Sequence, residues 1–171
     1  MKTTKIIIFA ALLALGGGIV ARGYFSAAVL ADPTPLPEFT LPDVLGKPHN
    51  ISEWKSNIRI INFWATWCPP CLKEIPMFNG LQQQFAYNGL QFIGVAVDDQ
   101  LSVTDYMSKN DINYPVLIGD LAGIALSQKL GNAAGVVPYT VIVNQKGQVI
   151  YQHNGEISKE EIIGVITPLL N

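Results

Sequence analysis

Two cysteines, Cys68 and Cys71, stand three positions apart in the run Trp-Cys-Pro-Pro-Cys. They are the only cysteines in 171 residues, so no wider disulfide framework and no all-cysteine zinc site can form. A disulfide-exchange catalyst needs one accessible thiolate and a second thiol close enough to resolve a mixed disulfide. Cys-x-x-Cys at the start of a helix supplies both, because backbone N–H groups and the helix dipole favour an anion at the first sulfur. Pro69 and Pro70 suit a first helical turn, where their missing N–H groups cost nothing. They also stiffen the loop between the sulfurs. Cys68 is therefore read as the nucleophile and Cys71 as the more buried, resolving thiol. The rival is a static structural disulfide, but a bridge closing so short a loop removes little unfolded-state entropy. Trp67, flat and apolar beside Cys68, favours a surface that accepts a partner chain.

Other chemistry is thinly represented. His49 and His153 lie far from the dithiol in sequence and show no paired-histidine spacing, so no metal is expected. The net charge of −2 offers neither a basic patch for nucleic acid nor an acidic tail for a cationic partner. No cofactor is expected beyond the Cys68–Cys71 dithiol itself.

A single α/β domain must position this pair. The chain opens on a basic start, Lys2 and Lys5, followed by 16 uncharged residues, 6–21. Residues 1–31 read as a signal peptide ending at Val29-Leu-Ala31 or as a membrane anchor. Both readings export the rest, because Lys2 and Lys5 stay in the cytoplasm. Residues 32–37 hold three prolines and form an extended linker. The domain spans 38–171 and begins with a small β element closed by Gly46-Lys47, then a short helical turn at residues 51–54.

Residues 58–64 are apolar and largely β-branched apart from Arg59 and Asn62, which reads as a buried parallel strand leading into Cys68. Leu72, Ile75, Phe78, Leu81 and Phe85 then recur at helical spacing, with Pro76 inside and Asn88-Gly89 as the stop. A second strand covers 90–97. Ser102-x-x-Asp105 resembles a capping box for the next helix. A short strand covers 114–118. Asp120 is placed to cap a helix that carries Leu121, Ile124, Ala125 and Leu130. Residues 139–144 and 148–153 make an antiparallel hairpin that adds an edge to the sheet. Ser158-x-x-Glu161 caps a last helix. The alternation implies parallel pairing through right-handed crossovers.

Residues 62–76, Asn-Phe-Trp-Ala-Thr-Trp-Cys-Pro-Pro-Cys-Leu-Lys-Glu-Ile-Pro, closely resemble the thioredoxin superfamily, and more narrowly the TlpA/ResA-like exported disulfide reductases. The likeness runs over roughly 39–170. It implies a thioredoxin fold with a central mixed sheet flanked by helices, an N-terminal β extension and a leader helix. It implies that Pro138 is cis and lies beside the dithiol, with the Val137 backbone free to pair with an extended substrate. Glu74 matches the family's acidic residue near the active site, as a tuner of thiol pKa or a proton relay; a solvated helix-face glutamate is the competing reading. Asn62 stands where cytoplasmic thioredoxins carry a buried acid, which shifts attention to Glu74. The segment 131–137 is longer and plainer than the family's usual approach to its cis-proline.

The resemblance implies reduction of protein disulfides, with electrons from a membrane thiol donor. Implied substrates are apocytochrome c thiols or metal-site cysteines. Two other readings stand beside it. A peroxiredoxin-like peroxidase needs Thr three residues before its cysteine, where Ala65 stands here and Thr66 is one place late. A metal chaperone would use both thiols as ligands.

Overall fold

A computed structural model of the chain describes residues 32–55 and 57–170. The leader, 1–31, lies outside the described residues. The strands are β1 (Thr34–Pro35), β2 (Thr40–Pro42), β3 (Pro48–Asn50), β4 (Ile58–Trp64), β5 (Leu90–Ala96), β6 (Val116–Ile118), β7 (Tyr139–Val143) and β8 (Gln148–Asn154). The helices are α1 (Pro69–Phe85), α2 (Gln100–Lys109), α3 (Asp120–Lys129) and α4 (Lys159–Ile166).

Every residue of β4 is buried, as its β-branched, apolar run requires. It sits inside a six-stranded sheet of order β1-β8-β7-β4-β5-β6. β4, β5 and β6 pair in parallel, while β7 pairs antiparallel with β4. The hairpin therefore enters the sheet through β7. The edge beyond β8 is taken by β1, where Thr34 and Pro35 of the Pro-rich segment pair with Val149 and Gln148. A proline tolerates such an edge because one side of the strand needs no donor. β2 and β3 form the small N-terminal hairpin, and Asp43 bridges it to Leu117 of β6. Helices flank a mixed sheet, which is the thioredoxin arrangement.

Side chains alternate along β4. Ile60, Asn62 and Trp64 face one layer, where Trp64 packs on Tyr106 of α2 at 5.5 Å between rings. Phe78 of α1 meets Phe92 at 5.0 Å, and Phe92 meets Tyr114 at 5.7 Å. Gly94 makes room in this layer, since a Cβ there would lie 3.0 Å from Trp64 Nε1. Phe63 faces the other layer and meets Tyr139 at 6.1 Å.

Two capping expectations are corrected. Asp99, not Ser102, caps α2: its Oδ1 accepts from the backbone N–H groups of Leu101 and Ser102. A carboxylate is the stronger acceptor, so Ser102 falls inside the helix and its hydroxyl donates to Asp99. Asp120 does not cap α3 either; Gly119 takes that place and Asp120 is the first helical residue at φ 44°. Gly119 is pressed against β5, where a Cβ would lie 2.8 Å from Val95 Cγ1. The same contact turns the helix. Its buried face runs through Gly123, Leu126 and Ser127, while Leu121 is 74% exposed and Ala125 also faces out.

The final cap is as read. Ser158 accepts from Glu161 N–H while the Glu161 carboxylate reaches back to Ser158 N–H. Replacing Ser158 by Ala is expected to lower stability by about 1 kcal/mol, measured by denaturant unfolding.

Candidate active site

The dithiol sits where β4 ends and α1 begins. Val97 N–H bonds to Trp64 O and Cys68 N–H to Ala65 O, so the chain turns sharply after the strand. Thr66 is tied down by Asp98: its backbone N–H donates to Asp98 Oδ2 at 3.0 Å, and its hydroxyl donates to the same oxygen. Asp98 directly follows the strand read over 90–97 and was not singled out from the sequence. An acid directly after the neighbouring parallel strand was the available signal, since such a position faces the loop after β4.

Cys68 is the N-cap of α1, with Pro69 and Pro70 in the first turn. The two cysteines form a disulfide, S–S 2.05 Å, with Cα atoms 5.3 Å apart. Cys68 keeps 4% of its surface and Cys71 none, so the outer sulfur belongs to Cys68. Cys68 Sγ also accepts from Cys71 N–H at 3.3 Å, the helix-terminal contact that favours charge on the first sulfur. Trp67 is 65% exposed beside it.

Pro138 lies at the same end of the sheet. Tyr139 pairs with Phe63, so the residue before it comes alongside Trp64, at the exit of β4 toward Cys68. The Val137–Pro138 peptide is cis, as the resemblance implied. Pro138 is buried and Val137 half-buried. The approach loop is built by a residue that sequence reasoning passed over. Asn132 is 1% exposed; its Nδ2 donates to Val136 O at 2.7 Å and its Oδ1 accepts from Val136 N–H at 3.3 Å. The Tyr139 hydroxyl closes the base of the loop on Leu130 O.

Glu74 is not a solvated helix-face residue. It is 2% exposed, one turn after Cys71 on the same face of α1. Its Oε1 accepts from Ile157 N–H at 2.6 Å, and Oε2 has no hydrogen-bond partner among the described residues. Burial pushes its pKa up to about 7; the Glu156 charge adds to this, and the Ile157 N–H opposes it. Asn62 pulls weakly the same way as Ile157, while its own Nδ2 donates to Thr140 Oγ1 at 3.0 Å. Glu74 is thus a buried carboxyl poised to change protonation near neutral pH, in the layer beneath the dithiol.

The histidines take no part. His49 lies between Asp43 and Glu53 in the N-terminal hairpin, at 3.1 and 2.8 Å. His153 Nε2 donates to the Glu156 carbonyl oxygen at 3.1 Å, at the end of β8. Among the described residues no three His, Cys, Asp or Glu side chains are grouped to hold a metal ion.

The arrangement can carry thiol–disulfide exchange: an outer sulfur at a helix N-terminus, an inner one within bonding distance, and a buried acid below. The chain is similar to known proteins of this activity. Thiol-disulfide oxidoreductase ResA of Geobacillus thermodenitrificans is 28% identical over 160 residues, covering 92% of this chain and 88% of its own. ResA of Bacillus subtilis is 26% identical, covering 91% and 86%. A thiol:disulfide interchange protein of Chlorobium tepidum superposes with a TM-score of 0.72 at 32% identity, covering 83% of this chain and 99% of its own. A secreted thiol-disulfide isomerase of Corynebacterium glutamicum shares the fold, with a TM-score of 0.72 at 22% identity. The Redoxin family model matches residues 31–165, and with the helix-capping dithiol this makes the chain a member of the Redoxin family, a ResA-like thiol–disulfide oxidoreductase of the thioredoxin superfamily.

Proposed function

We propose that the protein is an exported disulfide reductase acting on protein substrates. The observation that carries this reading is the outer position of Cys68 at the head of α1, with Trp67 exposed beside it. In the reduced enzyme the Cys68 thiolate attacks a substrate disulfide. One substrate sulfur leaves as a thiolate and takes a proton, and a mixed disulfide forms. The Cys71 thiol then loses its proton, with Glu74 as the buried acceptor one turn below. The Cys71 sulfur attacks Cys68 Sγ, and the second substrate thiolate leaves. Two electrons have passed to the substrate, and the Cys68–Cys71 disulfide is the oxidised product.

The Val137 backbone beside Pro138 offers an extended substrate segment a strand to pair with. The basic, then apolar, leader supports export, either as a cleaved signal or as an anchor at the periplasmic face of a membrane. Disulfides persist outside the cytoplasm, so a reductase there draws electrons from a donor, and a membrane thiol transporter is the chemistry that fits. Apocytochrome c thiols or metal-site cysteines are the substrate classes that the resemblance to the TlpA/ResA-like reductases implies. The peroxidase reading, which also needs an arginine near its cysteine, has less support, because Thr66 is engaged by Asp98 and Arg59 stands at the opposite end of β4 from Cys68.

The direction of electron flow is tested by the reduction potential of the Cys68–Cys71 couple. A value near the thioredoxin level, about −270 mV, is expected; one near about −120 mV would make the protein an oxidant.

A further inference from the structure

Arg59 interrupts the apolar run of β4 and is buried there, 4% exposed. It lies at the start of the strand, about 16 Å of extended chain before Trp64 and farther still from the dithiol. Its side chain shares the Phe63 face, beneath the N-terminal segment. Arg59 Nε has no hydrogen-bond partner among the described residues. A buried guanidinium nitrogen without a partner is costly, and such an atom in a native fold calls for an explanation.

A cavity of about 180 Å³ opens at this point. That is roughly ten times the ~10–15 Å³ that one water requires. Its walls include Arg59, Lys55, Lys146 and Glu38, with Leu36 and Ile51 as apolar sides. A Cβ on Gly147 would lie 3.5 Å from Arg59 Nη2, so the guanidinium extends to the β7–β8 turn that carries Lys146. Three cations thus surround the space against one carboxylate. Glu38 is near enough for its charge to favour the protonated guanidinium, yet no ion pair joins the two among the described residues.

We propose that this cavity is an oxyanion-binding site that takes a phosphate group, anchored by the buried Arg59 fork and closed at the rim by Lys55 and Lys146. The guanidinium presents its donors in a planar fork that matches phosphate oxygens in pairs. The low-dielectric floor strengthens that contact, and the unpartnered Nε gains an acceptor. Leu36 and Glu38 belong to the stretch where the domain leaves the leader, so the phosphate group can belong to free inorganic phosphate or to a lipid headgroup beside the leader. The site is separate from the dithiol and does not depend on the direction of its chemistry.

The test uses the full chain in neutral detergent, with inorganic phosphate as the probe at constant ionic strength. Calorimetry should show saturable binding that equal chloride does not reproduce. Arg59→Met should weaken it at least about tenfold, the effect of losing a charge-assisted hydrogen bond. Lys55→Ala with Lys146→Ala, both outside the core, should weaken it severalfold, and Glu38→Gln should tighten it. Disulfide exchange should be unchanged in all of them. In the wild-type chain the Arg59 Nε–H resonance should move on adding phosphate. If it moves instead on transfer to phosphatidylglycerol nanodiscs without phosphate, the source is the headgroup. No movement in either arm, or equal phosphate binding by Arg59→Met, overturns the proposal.

Discussion

Cys71→Ala is expected to accumulate covalent complexes through Cys68, while Cys68→Ala loses exchange activity by at least about 10³-fold, as removal of a nucleophile does. The asymmetry follows from position. Cys68 is the outer sulfur and the N-cap, and the Cys71 backbone N–H that bonds its sulfur survives replacement of the Cys71 side chain by Ala. The lone Cys68 thiolate in that variant still attacks, but nothing inside the protein resolves the product. Cys71 is wholly buried, so in Cys68→Ala the remaining thiol has no route to a substrate disulfide. Non-reducing electrophoresis followed by mass spectrometry reads both outcomes and names the trapped partners. If only Cys68→Ala traps them, the nucleophile and the resolving thiol change places. If neither traps any, the bridge is structural and the exchange reading fails.

The dithiol was legible because its chemistry is local. Two cysteines, two prolines and a helical apolar period lie within one stretch of chain, and helix, cap and sulfur order all follow from near neighbours. β4 was legible for the same reason, since a β-branched run states its own burial. What escaped is non-local. Nothing near Glu74 tells that Ile157, 83 residues later, supplies its hydrogen bond and helps bury it. Asn132 escaped for a different reason: its partners, the Val136 backbone groups and the Ser127 hydroxyl, are near in sequence but meet it only once the loop is closed. The buried face of α3 was not legible from its apolar residues, because the close approach to β5 is set by the absence of side chains at Gly119 and Gly123. Arg59 showed only as an exception in an apolar strand. Its cavity is assembled from residues around 36–38, 51–55 and 145–147, which sequence spacing does not join.

Glu74→Gln should make the protein more stable than wild type above neutral pH and leave the two alike near pH 4. The sign follows from proton uptake. The carboxyl has an ordinary value of 4.5 and is raised to about 7 by burial in the fold. Between those values the unfolded chain has released the proton and the native chain still holds it, so the native state binds more protons and stability falls as pH rises. Each pH unit across that window costs about 1.36 kcal/mol, so ionisation of Glu74 removes on the order of 3 kcal/mol by pH 8. Gln keeps an oxygen for the Ile157 N–H and carries no charge to desolvate, so the fall that Glu74 causes should be missing from its stability curve, while the contributions of the other titrating groups remain. Urea unfolding of the oxidised proteins from pH 4 to 8 measures the difference. The same substitution separates stability from catalysis. With no carboxylate beneath Cys71, resolution of the mixed disulfide should slow at pH 7 while the first attack by Cys68 is retained, so the mixed disulfide lives longer in stopped-flow exchange. A wild-type minus Glu74→Gln difference that does not change from pH 4 to 8 would mean that Glu74 ionises at its ordinary value, and unchanged resolution would remove it from the proton path.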